Sequence, residues 1–333
     1  MVDAQRRKNS AAWLSVISNT ALVMGKLIIG VLIGSVSVIS EAIHSGVDLL
    51  AAVIALFAVK TSNKVADDEH PFGHGKVENI SGTVEALLIF LAAGWIIYEA
   101  VHRLLVPAPL EAVGWGVGIM LVSSVVNIGV STLLFKVGRE TDSVALQADA
   151  WHLRTDVYTS AGVMVGLGLI LVGQWVMPGT NLLWLDPVAA IAVALLIIHA
   201  AWTLTKTSGR DLLDASLPAD EIAWIRQRMN GLAPAVRGFH HLRTRKAGAA
   251  RFVEFHLVVD KDLTVERAHN LADAATRDIK AHLPEATVTI HIEPCDGNCR
   301  PACLEGCLLT GEKRAAVRAD AAATTTGQEQ LSP

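Results

Sequence analysis

Six runs of apolar residues dominate this chain, and they restrict its fold more than any other feature. They cover Ala11–Leu32, Val36–Thr61, Glu78–Leu105, Ala112–Phe135, Val144–Val176 and Pro187–Thr207. The hydrocarbon core of a bilayer is about 30 Å thick, and about 20 helical residues cross it, so each run predicts one transmembrane helix. Gly34-Ser35, Pro107-Ala108-Pro109 and Met177-Pro178-Gly179 supply breaks between runs. The chain of 333 residues is 52% hydrophobic and 18% charged, too apolar for an ordinary soluble protein and too charged to be all membrane. The expected division is a cytoplasmic N-terminal segment at 1–10, a six-helix transmembrane domain at 11–207, a polar linker at 208–218, a soluble α+β domain at 219–294 and a tail at 295–333. The tail carries cysteines and is otherwise expected to be disordered.

Basic residues set the orientation. Arg6, Arg7 and Lys8 precede the first run; Lys60, Lys64 and Lys76 follow the second; Lys136 and Arg139 follow the fourth. The alternate loops carry almost none, with Arg103 the near exception, and Trp175 and Trp184 suit the outer interface. Both termini are therefore expected in the cytoplasm of a multi-pass inner (plasma) membrane protein of a bacterium. No secretory signal precedes the first run.

Ionisable residues inside such runs are costly and point to function. Glu41-Ala42-Ile43-His44-Ser45-Gly46-Val47-Asp48 and Asp149-Ala150-Trp151-His152-Leu153-Arg154-Thr155-Asp156 both read acid-Ala-x-His-x-x-x-Asp. Residues four apart share a helix face, so His44 with Asp48 and His152 with Asp156 form two claws. Two imidazoles and two carboxylates are a full tetrahedral set for a divalent metal such as zinc. Lys26 is expected to pair with Glu41 or reach the interface.

The loop after the second run holds Asp67, His70 and His74, ligand-type residues close enough to converge on a cation. From Ala219 the pattern predicts helix, strand, strand, helix, strand, with helices on one face of a small antiparallel sheet. Phe252, Glu254 and His256 alternate with Val253, Phe255 and Leu257. His291 and Glu293 share a strand face, next to the strand of His256, which predicts a metal cluster. Cys295, Cys299, Cys303 and Cys307 recur every four residues. A disulfide scaffold is not expected in a reducing compartment; these thiols suit zinc or copper(I).

The net charge of −4 leaves no footprint for nucleic acid, and no phosphate-binding Gly-x-x-x-x-Gly-Lys-Ser/Thr loop occurs, so no nucleotide partner is expected. Rival readings are a b-type haem protein with His44 and His152 as axial ligands, a membrane metal sensor without transport, and a passive channel. The carboxylate one turn from each histidine disfavours haem.

These motifs resemble the cation diffusion facilitator family, and its bacterial zinc and iron exporter branch in particular. The resemblance runs from about Ala12 to Pro294 and rests on Gly-Ser-Val-Ser at 34–37, both claws, Asp-Asp-Glu-His-Pro-Phe-Gly-His-Gly-Lys at 67–76, Leu-Leu-Asp at 212–214 and His-Leu-Arg-Thr-Arg at 241–245. It implies six membrane helices, a cytoplasmic ferredoxin-like domain and a homodimer. It implies a transport site at His44, Asp48, His152 and Asp156, a loop site at Asp67, His70 and His74, and a cytoplasmic site at His240, His256, His269, His291 and Glu293. It also implies an ion pair of Lys76 near the dimer contact, with Asp211 or Asp214 as partner. Two departures stand out: His44 replaces the Asp usual in close relatives, the pattern of zinc-selective members, and Glu293 replaces an Asp. The expected activity is export of divalent transition-metal cations, zinc foremost with cadmium, cobalt, nickel and iron(II) as others, in exchange for protons. Zinc is thus expected both as substrate and as a regulatory ion. Protons and metal would compete for the same side chains.

Overall fold

The structure is a computed structural model; it describes residues 2–33, 36–106, 114–176 and 184–329. The expected breaks at Gly34-Ser35, Pro107–Pro109 and Met177–Gly179 lie outside the described residues, as do the side chains of Glu41, His44 and Trp175. The chain divides into two compact units, 1–213 and 214–333, each described by itself.

The first unit is six long helices: α1 (Val2–Ile33), α2 (Val36–Ser62), α3 (Lys76–Leu105), α4 (Gly114–Glu140), α5 (Val144–Val176) and α6 (Leu185–Leu212). Among the described residues, five of them, all but α5, are long and apolar enough to cross a membrane. The described part of α5 carries Asp149, Arg154 and Asp156. α3 packs on α6, α1 on α2, α4 on α5, and α2 also meets α5. The contacts are made largely by small side chains, with Ala51, Ala52, Ala55, Ala86, Ala93, Ala148 and Ala201 buried. Small residues let helix backbones approach where lipid supplies no hydrophobic drive. Large apolar side chains such as Phe57, Leu91, Trp95, Val125 and Trp202 face outward, while Asn19, Glu78, Asn79, Glu85 and Asp149 are buried. That polarity suits lipid, not water, as the surrounding medium.

Two boundaries differ from expectation. The N-terminal segment is not a separate element: α1 begins at Val2. Its early turns are held by polar contacts, with Gln5 Nε2 donating to the Val59 carbonyl at 3.3 Å and Lys8 buried against Glu78. The linker is likewise shortened, since α6 continues through Leu212.

Glu78 is a polar hub. Its carboxylate is almost wholly buried and accepts from Lys8 Nζ at 3.1 Å, Ser62 Oγ at 2.9 Å and Ser143 Oγ at 2.5 Å. One side chain of α3 thus ties α1, α2 and the start of α5, and every charge it carries is compensated.

The second unit runs α7 (Ala219–Asn230), β1 (Gly238–Ala247), β2 (Ala250–Val259), α8 (Val265–His282) and β3 (Ala286–Pro294). Thr264 caps α8, its hydroxyl accepting from the Arg267 amide at 3.4 Å. Ala268, Ala272, Ala275 and Ile279 recur along one face of α8 and are buried with Val253, Phe255 and Leu257 of β2. The sheet order is β1-β2-β3, with β1 antiparallel to β2 and β2 parallel to β3. The sheet is therefore mixed, correcting the antiparallel expectation. A whole helix joins β2 to β3, and such a crossover returns the chain in the same direction.

The tail is also more ordered than expected. Cys307 forms a bridge with Gly238, and α9 (Pro301–Glu305) and α10 (Gly311–Glu329) follow β3. Residues 313–323 of α10 are mostly Ala, Lys and Arg, good helix formers, and Lys261 is ion-paired with Asp320 of α10.

Candidate metal sites

In the membrane unit, α2 supplies Asp48 and α5 supplies His152 and Asp156. Helical spacing puts the latter two on one face. His152 Nε2 lies 3.1 Å from Asp48 Oδ1, and one ligand atom from each of the three residues lies within 4.8 Å of the others. His44 lies one turn before Asp48 on α2, and its side chain is outside the described residues. Asp48 and Asp156 line a cavity of about 530 Å³, together with Lys26, Ser45, Asn127 and Thr159. Its wall also carries Asn19, Ser123, Ser124, Thr155 and Ser160. Lys26 Nζ donates to Ser45 Oγ at 2.7 Å; its expected partner Glu41 lies outside the described side chains. His152 Nδ1 is buried and has no hydrogen-bond partner among the described residues.

Two further acids stand beside this triad. Glu85 of α3 is fully buried and accepts from Ser81 Oγ at 3.2 Å. Asp149 of α5 is also fully buried, and both act electrostatically on His152. Glu85 is absent from the expected set, although a carboxylate in mid-run was itself a signal.

The loop between α2 and α3 brings together Asp67, His70 and His74. Asp67 Oδ1 is 3.3 Å from His70 Nδ1, and Asp67 Oδ2 is 3.3 Å from His74 Nε2. The backbone amide of His70 donates to Asp67 Oδ1 at 2.7 Å and, more than any other cause, holds that carboxyl below the usual aspartate range. Lys76 Nζ donates to the Leu212 carbonyl at 3.4 Å, and Asp211 accepts from Asn79 Nδ2 at 3.1 Å. Asp214, in the second unit, accepts from Arg245 at 3.4 Å.

In the second unit, Glu293 on β3 gathers the histidines. Its Oε2 lies 2.8 Å from His240 Nε2 and its Oε1 lies 2.8 Å from His256 Nδ1. His291 Nε2 is 3.5 Å from the same Oε1. Burial, then the neighbouring His241, holds His240 below the ordinary histidine value, and its Nδ1 is buried without a partner among the described residues. His269 does not join: it is exposed on α8, with Asp273 3.4 Å away. His282 stacks on Trp224.

His241 was not in the expected set, and backbone geometry brings it in. His240 pairs with His256 and Arg243 with Glu254, so His241 and Leu242 together oppose the single Phe255. This bulge lets His241 follow His240 on the same side while Leu242 turns back to the core. The His241 ring centroid is 4.7 Å from that of His240 and 5.0 Å from that of His256. Its φ of +52° costs about 1–3 kcal/mol for a non-glycine residue. Below the cluster, Cys295, Cys299 and Cys303 line the same 460 Å³ cavity as His240, His241 and His256. Burial, then the neighbouring thiols, raises Cys295 and Cys303 above the ordinary thiol value.

Comparison with known proteins finds matches over most of the chain. Residues 12–213 match the family model of the cation efflux transmembrane domain, and residues 217–295 match that of the cation efflux protein cytoplasmic domain. An uncharacterized transporter of Synechocystis sp., sll1263, is 37% identical over 263 residues, 79% of this chain and 83% of that protein. The cation-efflux pump FieF of Salmonella paratyphi A is 31% identical over 288 residues, 84% of this chain and 91% of that protein. A solved metal-bound C-terminal domain of the CzcD transporter from Thermotoga maritima is 26% identical, covering 23% of this chain and 94% of that one, with a TM-score of 0.22.

Proposed function

The chain belongs to the cation diffusion facilitator family, in a FieF-like branch, and from that premise we propose that it exports zinc from the cytoplasm in exchange for protons. It is a divalent-metal efflux transporter and not an enzyme. The observation that carries the finer reading is the convergence of Asp48, His152 and Asp156 from two helices in the membrane unit, with Asp48 and Asp156 lining one cavity. With His44 one turn along α2 they supply two nitrogens and two carboxylates. The carboxylates cancel the charge of one divalent ion, so the loaded site is formally neutral and tolerable at low dielectric. Imidazole nitrogen favours zinc, cobalt, nickel and cadmium over manganese and magnesium.

Metal and protons compete for these side chains, and exposing the site alternately to the two membrane faces couples export of one to entry of the other. Glu85 and Asp149, buried acids coupled electrostatically to His152, are further proton acceptors on this reading. The basic loops support cytoplasmic termini. The test is zinc uptake into inside-out vesicles with and without an imposed proton gradient. Uptake is expected to accelerate with the gradient; indifference to it refutes the exchange.

The cytoplasmic cluster fits a resident zinc ion, since ligand atoms of His240, His256 and Glu293 converge within 4.8 Å of one another. A zinc ion there would neutralise the acid and tie β1, β2 and β3. In a homodimer joined through this domain, metal binding would draw two copies together. Small-angle scattering is expected to record zinc-induced compaction that His291→Ala reduces.

A further inference from the structure

A tail after β3 has little reason to fold. Between 295 and 310 the only buried residue is Gly306, so the segment adds almost nothing to the hydrophobic core. Yet it is ordered and pinned at both ends to one corner of the sheet. The Cys295 amide donates to the Val259 carbonyl at 2.8 Å. At the other end, Cys307 bridges Gly238, the Phe239 amide donates to the Gly306 carbonyl at 3.1 Å, and the Leu308 amide donates to the Arg237 carbonyl at 2.9 Å. Gly238 is the register partner of Val258, so the first and last cysteines are anchored to adjacent strands at the same end.

The glycines accept no substitute. A Cβ on Gly306 would lie 1.6 Å from the Phe239 carbonyl oxygen. Gly297 has φ +74°, and its Cβ would lie 2.7 Å from that of Ala321 on α10. The loop so formed turns all four cysteines to half-buried positions, while Asp296, Asn298, Arg300 and Leu304 between them stay exposed. All four are free thiols, and three of them, Cys295, Cys299 and Cys303, line one cavity.

We propose that Cys295, Cys299, Cys303 and Cys307 form a four-thiolate site for a zinc-class cation, which staples the tail across the end of the sheet beside the His240/His256/Glu293 cluster. Four thiolates are a closed tetrahedral set for zinc or cadmium, and a segment without a core is where such a staple contributes most. Among the described residues no three of these sulfurs lie within 4.8 Å of one another, so the proposed site requires the loop to close around the ion. Three of the thiols share that cavity with His240 and His256, so a sulfur-bound and a nitrogen-bound ion are neighbours and ordering of the tail becomes sensitive to metal supply. The site stands apart from the transport reading and survives its failure.

The test uses full-length protein in nanodiscs, metal-stripped, reduced and titrated with Cd²⁺. The expected result is a thiolate-to-cadmium charge-transfer band in the ultraviolet that saturates with a single ion per chain. It disappears in the Cys299→Ser, Cys303→Ser double variant and persists in Glu293→Ala, which removes the nitrogen–oxygen cluster and leaves the sulfurs. Independently, Zn²⁺ is expected to protect all four cysteines of the unmodified chain from alkylation, read by mass spectrometry. Absence of the band, its survival in the double cysteine variant, its loss in Glu293→Ala, or alkylation unaffected by Zn²⁺ overturns the proposal. So does an intact mass, taken without reductant, that shows the thiols already paired as disulfides.

Discussion

His152 and Asp48, 104 positions apart in sequence, meet at 3.1 Å between the Nε2 of one and the Oδ1 of the other. The pair joins α5 to α2 inside the membrane unit, where both side chains are buried, and Asp156 completes the triad. Asp48→Asn keeps the shape and removes one of the charges that balance a divalent ion. Zinc transport by that variant in reconstituted vesicles is expected to drop to the level of empty vesicles, with the protein still folded and inserted. Transport at the unmodified rate would remove Asp48 from the site.

On the proposed reading, His44, one turn before Asp48, sets the metal. His44→Asp exchanges a nitrogen donor for a hard oxygen, and the preferred cation is expected to move from zinc toward manganese or iron(II). Competition assays across a panel of ions read this directly. An unchanged profile would place selectivity elsewhere.

Glu78 bears on stability, not transport chemistry. Lys8 and Glu78 are both buried, and Ser62 and Ser143 donate to the same carboxylate. Glu78→Ala leaves an ammonium and two hydroxyls without their partner, at a cost of about 3–5 kcal/mol. Thermal unfolding in detergent is expected to show a large fall in midpoint for Glu78→Ala and a smaller one for Glu78→Gln, which keeps hydrogen-bonding capacity. Equal midpoints in all three proteins would show that the hub is idle.

His241 separates backbone strain from ligand chemistry. Its φ of +52° suits glycine, so His241→Gly is expected to raise the stability of the metal-free protein by about 1 kcal/mol. The same change removes an imidazole beside His240 and His256 and is expected to weaken zinc binding at the cytoplasmic cluster, measured by calorimetry on the full chain. A variant that is more stable and binds as tightly would make the histidine incidental.

A pH effect follows from Arg237, which with the Asp262 amide holds the Asp260 carboxyl below the ordinary aspartate value. A depressed carboxyl stabilises the fold above its unfolded value, about 3.9, and that contribution disappears as pH falls through the folded value. The pair is partly exposed, so the effect is no more than about 1 kcal/mol. Asp260→Asn is expected to flatten the acid limb of the melting midpoint against pH, and an unchanged limb would deny the linkage.

Much of the site was legible because the relevant period is local. The four-residue spacing of His152 and Asp156 places both on one side of α5 whatever the rest of the chain does. The alternation along β2 likewise put Val253, Phe255 and Leu257 in the core and His256 outside. Cys295 through Cys307 were visible as a set, although nothing in their spacing said that they would be folded back against β1 and β2.

What sequence alone determined, then, is the run of six long helices, the shared face of His152 with Asp156 and the outward face of His256, and the donor chemistry those faces carry. Tertiary structure decided which faces meet. It set α2 against α5, brought Lys8 to Glu78 across 70 positions, returned β3 parallel to β2, and turned His241 out of alternation through a bulge. The physical reason is range. A residue's face follows from the dihedral period of its own element, whereas contacts between distant elements depend on how backbones approach and on which polar groups must find partners once water is gone.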